Sequence, residues 1–198
     1  MDPRVTEVID SQRTTFETMG CLVDDAEPDF ADVDRAFKIW RGWGRELGQG
    51  DLLEAHRDQM KDTLIWDIEQ GVDLSGPEVG WAEVKRMELF QRMHVFMERY
   101  EFLICPVSQV PPFDVKQRYI TEINDVKMET FIDWMKSCYY ITATGHPAIS
   151  VPCGFTREGL PVGIQIIGRY RDDFGVLQLA HVFEQATQVW KQRPAAVG

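Results

Sequence analysis

The chain has 198 residues, 44% apolar and 27% charged, which is enough for one domain or one large lobe with its own core. A formal net charge of −11 argues against nucleic acid and anionic membranes as partners. No run approaches about 18 apolar residues and no basic-then-apolar leader opens the chain, so no membrane association is expected and the cytoplasm is the expected location.

Asp2 and Pro3 make a helix start, with Asp as cap and Pro at the first helical position. Val5, Val8, Ile9, Gln12, Phe16 and Met19 continue a helical stripe that Gly20 can close. Cys21-Leu22-Val23 reads as a short strand. With no strand ahead of this helix–strand unit, the pattern is that of a piece of a larger α/β protein. Residues 30–47 read as helix, with Phe37, Trp40 and Trp43 on or near the apolar side, and residues 51–69 as one or two more. Ser75-Gly76-Pro77-Glu78 is a capping box. It opens a long helix to about Tyr100, carried by Val84, Leu89, Phe90, Met93, Phe96 and Met97. Residues 1–100 are therefore predicted mostly helical, followed by a buried strand within 101–106.

Residues 107–126 have little periodicity and follow closely on Pro106, with Pro111 and Pro112 inside them. Loops of that length in compact domains are usually functional walls, lids or disordered links. Residues 127–140 read as helix, with Phe131, Trp134, Met135 and Cys138 on one side. Residues 148–151 and 162–167 are short β-branched strands bounded by Gly and Pro, and Arg157-Glu158-Gly159 between them is a turn signal. Both strands are mostly apolar on both faces, which suits a sheet covered on both sides. Asp172 or Asp173 caps a last helix whose stripe is Val176, Leu177, Ala180, Phe183, Thr187 and Trp190, ended by Arg193-Pro194. Short apolar strands flanked by helices make an α/β layered fold.

Several patterns fail on chemistry. His56-Arg57-Asp58 and Asp173-Phe174-Gly175 spell kinase triplets, but Thr63 stands where Asn is needed, and the Gly-rich loop and strand lysine are missing. Gly42-Trp43-Gly44 followed by Gly48 lacks the spacing of a dinucleotide loop. His56, His94, His146 and His181 are scattered singly, so no metal site is expected, and no cofactor is implied. Cys21, Cys105, Cys138 and Cys153 form no Cys-x-x-Cys pair and read as buried free thiols. The five serines are Ser11, Ser75, Ser108, Ser137 and Ser150, none in Gly-x-Ser-x-Gly. Lys136 and Ser137 are helix neighbours that diverge. Ser150 reads as a satisfied core hydroxyl inside a strand, and Gln165, flanked by Ile164 and Ile166, as a core amide bonded to nearby backbone.

The stretch Thr144-Gly145-His146-Pro147-Ala148-Ile149-Ser150-Val151-Pro152-Cys153-Gly154-Phe155, followed by Gly159-Leu160-Pro161-Val162-Gly163-Ile164-Gln165-Ile166-Ile167-Gly168, resembles the C-terminal signature of the amidase signature family. The likeness extends loosely back through Glu101 to Val107 and forward to Arg193-Pro194, and Thr142 stands where the family usually has Asn. It implies the C-terminal part of an α/β/α layered fold, with a mixed sheet and flanking helices, over residues 1–198. It also implies a Ser–cis-Ser–Lys triad lying upstream of the matched region. This sequence has no Ser-Ser dipeptide, so no catalytic residue is expected in it.

On that resemblance the chain is expected to be the C-terminal portion of an amide carbon–nitrogen hydrolase, not competent alone. It would supply sheet scaffold and pocket wall, partnered by the missing N-terminal half and, in the whole enzyme, by a small-molecule amide; a homo-oligomer is also open to it. Truncation or a split gene would account for such a portion. Tyr119, Trp134, Cys138, Thr142 and His146 are the pocket-lining candidates, because pockets combine rings with few polar groups. His146, entering a strand between Gly145 and Pro147, reads as loop-fixing rather than proton-transferring. The alternative is a non-catalytic relic or interaction domain that kept the sheet and lost the chemistry.

Overall fold

The computed structural model describes residues 1–192. Asp2 caps α1 (Pro3–Ser11) by accepting the Arg4 N–H at 2.9 Å, with Pro3 at its start. The helical stripe is broken at Gln12, and α2 (Arg13–Thr18) carries Phe16 into the core. Residues 21–23, expected as a strand, have no regular structure; Cys21 and Val23 pack against the core, but Leu22 is wholly exposed and no strand among the described residues pairs with the segment. α3 (Val33–His56) runs past the expected end at 47 and absorbs the start of the next expected helix. α4 (Asp62–Val72) follows, then α5 (Gly76–Arg99). The capping box forms: the Glu78 carboxylate accepts the Ser75 N–H at 2.9 Å and its hydroxyl at 2.6 Å, while the Glu78 N–H donates to Ser75 Oγ at 3.3 Å.

Strand β1 (Phe102–Pro106) leads into residues 107–121, which have neither helix nor strand. A two-residue hairpin joins β2 (Glu122–Ile123) to β3 (Val126–Lys127), with Asn124 and Asp125 both at positive φ. Helix was expected from 127, but it begins only with a 3-10 turn at Asp133–Met135 that runs into α6 (Lys136–Thr144). The Asp133 carboxylate accepts the Thr130 N–H at 2.7 Å, and this local bond competes with an earlier helical start. After Gly145 come β4 (Ala148–Phe155) and β5 (Pro161–Gly168), joined by a turn in which Gly159 takes the expected positive φ, +81°. Asp172 caps α7 (Asp173–Thr187) by accepting the Gly175 N–H at 3.0 Å. The helix stops at Gln188 in the left-handed region, leaving Trp190 in an exposed 3-10 turn off the buried stripe. Arg193-Pro194 lies outside the described residues.

The chain divides into two compact units: residues 1–28 with His94 onward, and residues 29–93. In the first, β5 is the middle strand of a sheet ordered β1-β5-β4. All its pairings are antiparallel, so these three strands do not display the mixed character that the resemblance implies. Ile104 and Ile149 flank Ile166, and Val151 lies opposite Ile164. These side chains share one face, because alternate residues point the same way. Val5, Val8, Phe16, Val176, Ala180 and Phe183 from α1, α2 and α7 cover it, with the Phe16 and Phe183 rings stacked at 5.0 Å. A register shift between Pro152 and Gly154 bulges β4, and β4 has no second partner strand among the described residues. No described helix is long and apolar enough to cross a membrane.

The second unit rests on the crossing of α3 and α4. Arg41 grips the buried Asp67 carboxylate with two bonds, Nε–Oδ1 at 2.9 Å and Nη2–Oδ2 at 2.5 Å. Val33 and Ala36 are buried, whereas Trp40 and Trp43, expected on the apolar side, are 42% and 37% exposed. Trp40 instead donates its indole N–H to Glu83 and lies under the Arg86 guanidinium. At the crossing the backbones approach so closely that a Cβ on Gly71 would lie 2.2 Å from the Gly42 carbonyl oxygen. Gly71→Ala therefore forces the helices apart. It is expected to lower stability by about 1–3 kcal/mol, despite the roughly 1 kcal/mol that Ala gains over Gly in a helix. Urea unfolding, with hydrogen exchange across residues 33–72, measures this; undiminished stability and protection would show that the two backbones do not meet there.

Candidate active-site wall

The segment after β1 must find partners for its backbone, because it leaves the sheet ladder while still partly buried. Gln165 Nε2 donates to the Pro106 carbonyl at 2.8 Å and to the Ser137 carbonyl at 2.9 Å. One residue on, the Val107 carbonyl accepts Ser137 Oγ at 3.0 Å and Cys138 Sγ at 2.6 Å, while the Val107 N–H donates to Gly163 at 3.3 Å. The Asp2 N–H closes the series on the Gln109 carbonyl at 2.8 Å. Strand, helix and chain start thus converge on the last residue of β1 and the three irregular residues that follow it. Gln165 reaches it because it sits mid-strand on the face opposite the isoleucine core, paired with Cys105 on one side and Ser150 on the other.

In front of this pinned segment lies a cleft of about 350 Å³. Val107, Ser108, Val110, Pro111, Pro112 and Phe113 form one wall, and Trp134 from the turn before α6 joins it. Phe113 and Trp134 meet edge-to-face, with centroids 5.4 Å apart. Ser150 of β4, Pro161, Val162 and Gly163 of β5, and Val5 of α1 complete the lining.

Of the residues singled out from sequence, Trp134 and Ser150 line this cleft, and Cys138 and Gln165 stand behind its wall. Tyr119, Thr142 and His146 do not line it. The Tyr119 ring packs on Phe131, Thr142 is exposed and donates to the Cys138 carbonyl at 3.1 Å, and His146 is buried with Nδ1 at 3.1 Å from the Thr144 carbonyl. Burial holds the His146 pKa below its ordinary value, so the ring is neutral at pH 7. Sequence reasoning marked the loop 107–126 as a candidate wall but missed Val5, which loop residues line the cleft, and the tether from Ser137. The paired prolines were the available signal, since residues lacking an N–H favour irregular, wall-forming backbone.

Four of the five serine hydroxyls have hydrogen-bond partners; the fifth, Ser150, is not the satisfied core hydroxyl expected but an exposed strand residue lining the cleft, because β4 turns that face outward. Ser11 donates to the Val8 carbonyl, Ser75 to Glu78 and Ser137 to Val107. Ser108 Oγ accepts the Val110 N–H at 3.4 Å. The thiols are held protonated: burial pushes Cys105 and Cys153 up to about 12, and raises Cys21 and Cys138 as well.

Two outcomes follow. Gln165→Leu strands two partly buried carbonyls and is expected to cost about 1–3 kcal/mol; equal urea midpoints for variant and parent would show that the amide tether carries no weight. Cys105 and Cys153 have folded pKa values raised from an ordinary 9.0, so their contribution to stability is complete below that pH and is lost as pH rises towards about 12. Unfolding midpoints should fall over that window and recover in part in Cys153→Ala; a flat profile contradicts the assignment.

A family model described as amidase matches residues 52–177. The chain is 31% identical over 201 residues to an acylamidase of Rhodococcus erythropolis, covering 99% of this chain and 41% of that protein. It is 40% identical over 101 residues to a glutamyl-tRNA(Gln) amidotransferase subunit of Geobacillus stearothermophilus, covering 49% of this chain and 19% of that one. Among solved structures, a bacterial aryl acylamidase of the amidase signature family superposes with a TM-score of 0.81 at 22% identity, over 96% of this chain and 41% of the other. An amidase gives 0.85 at 16% identity, over 94% and 43%. The chain thus spans about two fifths or less of the length of these relatives. With its α/β architecture shared across nearly its whole length, and the family model matched over more than half of it, this chain belongs to the amidase signature family.

Proposed function

We propose that residues 1–198 act as the C-terminal portion of an amide carbon–nitrogen hydrolase, supplying sheet scaffold and one wall of the substrate pocket. The attacking serine and its lysine belong to a segment outside this sequence, which is the principal partner of this chain. One observation carries the reading. Behind the cleft wall, Gln165, Ser137 and Cys138 spend their donors on the carbonyls of residues 106, 107 and 137. A nucleophile needs a hydroxyl or thiol beside a base, and the two serines that line the cleft, Ser108 and Ser150, have no basic side chain among the lining residues. The relatives' greater length supports the same division of labour. In this reading Trp134 and Ser150 face the substrate, Cys138 and Gln165 fix the wall, and Tyr119, Thr142 and His146 support the elements behind it.

The pure 198-residue chain is expected to leave aryl amides intact and to remain unlabelled by a fluorophosphonate that traps activated serines, as read by intact-mass spectrometry. Stoichiometric labelling that disappears in Ser137→Ala or Ser150→Ala would overturn the proposal.

A further inference from the structure

Helix α7 buries one side only. Val176, Ala180 and Phe183 turn inward and join the core cluster. The opposite side presents Phe174, Leu177, Gln178, His181, Val182 and Gln185, all exposed. Phe174, Leu177 and Val182 keep 71%, 54% and 48% of their surface in water. Phe174 belongs to the Asp173-Phe174-Gly175 triplet, which has no part in the proposed amide chemistry. From Phe174 to Trp190 the sequence holds a single Asp, Glu, Lys or Arg, Glu184, in a chain that is 27% charged. The outer face of a solvated helix ordinarily carries charge, so a face this apolar and this poor in charge suits a covered position.

We infer that the outer face of α7 docks, antiparallel, on the same face of a second copy of this chain, about a two-fold axis between Leu177 and Gln178. The inference does not depend on the pocket-wall reading. Three features select that occupant. Two chains of net charge −11 repel each other, and residues 174–183 offer them a meeting face without an acidic group. The antiparallel arrangement brings Phe174 level with His181 of the second copy, and Leu177 level with its Gln178, each twice by symmetry. It also brings Arg171 level with Glu184 of the second copy, so the charges at the two ends of the face are complementary. Arg171 is exposed, with its guanidinium 5.2 Å from the Tyr170 ring centre. Antiparallel helix dipoles add a small attraction of the same sense. The 15 residues of α7 give a contact about 22 Å long, narrow for a stable dimer, so the expected association is of micromolar strength.

Sedimentation equilibrium of the pure 198-residue chain should show a monomer–dimer equilibrium in the micromolar range. Phe174→Glu, at an exposed position in the first turn of α7, should raise the dissociation constant roughly tenfold or more. Arg171→Glu and Glu184→Arg should each raise it about threefold or more, because each sets like charges level across the axis. The two reversals shift the net charge in opposite directions, so a general charge effect would strengthen one variant and weaken the other. Combining them should return the constant to within about twofold of the parent. Leu47→Glu, on an exposed apolar position of α3, should leave it unchanged, and far-UV circular dichroism reports the folding of each variant. A chain that stays monomeric, as it would if the segment outside this sequence is what covers α7, overturns the inference. So does a dimer that survives Phe174→Glu, or a double reversal that fails to restore what the single ones lose.

Discussion

The structure turns on a debt of hydrogen bonds incurred where β1 ends. Residues 107–109 lie beyond β1, and with Pro106 at its end they leave carbonyls that the β5 backbone does not satisfy, yet they are still partly buried. An unpaired buried carbonyl costs about 1–3 kcal/mol, so an irregular segment survives there only if side chains reach it. Gln165 answers from the sheet, Ser137 and Cys138 from α6, and the Asp2 N–H from the start of α1. Because the tethers come from three different elements, the segment is fixed relative to all of them. The wall in front inherits that rigidity.

This arrangement also explains why β5 reads as it does. One face of the strand gives Val162, Ile164 and Ile166 to the helical layer of α1, α2 and α7. The other gives Gln165 to the wall, between Gly163 and the fully buried Ile167. A strand serving two layers cannot alternate apolar with solvent-facing polar, and its near-continuous apolar run with one amide is the result. Gly163 keeps the approach close: a Cβ there would stand 3.2 Å from Val107 and 3.4 Å from Ser150 Oγ.

Legibility from sequence followed the range of the forces involved. The caps at Asp2 and Asp172, the Ser75–Glu78 box and the two signature strands are local patterns, and each forms within a residue or a few of where it is expected. Failures occurred where packing overrides pattern. Cys21-Leu22-Val23 has strand propensity, but no strand among the described residues takes it up, and Leu22 points into water. Trp40 and Trp43 sit at helical spacing but lie on the outer side of α3, because the α4 crossing demands small Gly42 at the contact instead. The cleft was legible in part. Trp134 and the long proline-bearing loop could be named, but Val5 lies more than a hundred residues away in sequence, and only the folded chain brings it to Pro111 and Gly163.

The bulge in β4 carries a consequence of a different kind. A strand bonded along only one margin among the described residues is a template onto which stray peptide can zip, the usual beginning of sheet-mediated clumping. Pro152 brings no amide hydrogen, and the shift between it and Gly154 throws the spacing out of step midway. An intruding strand would find a regular register for only about half the length of β4. Proline and bulge together thus act as a gatekeeper on that margin, discouraging long adventitious partners.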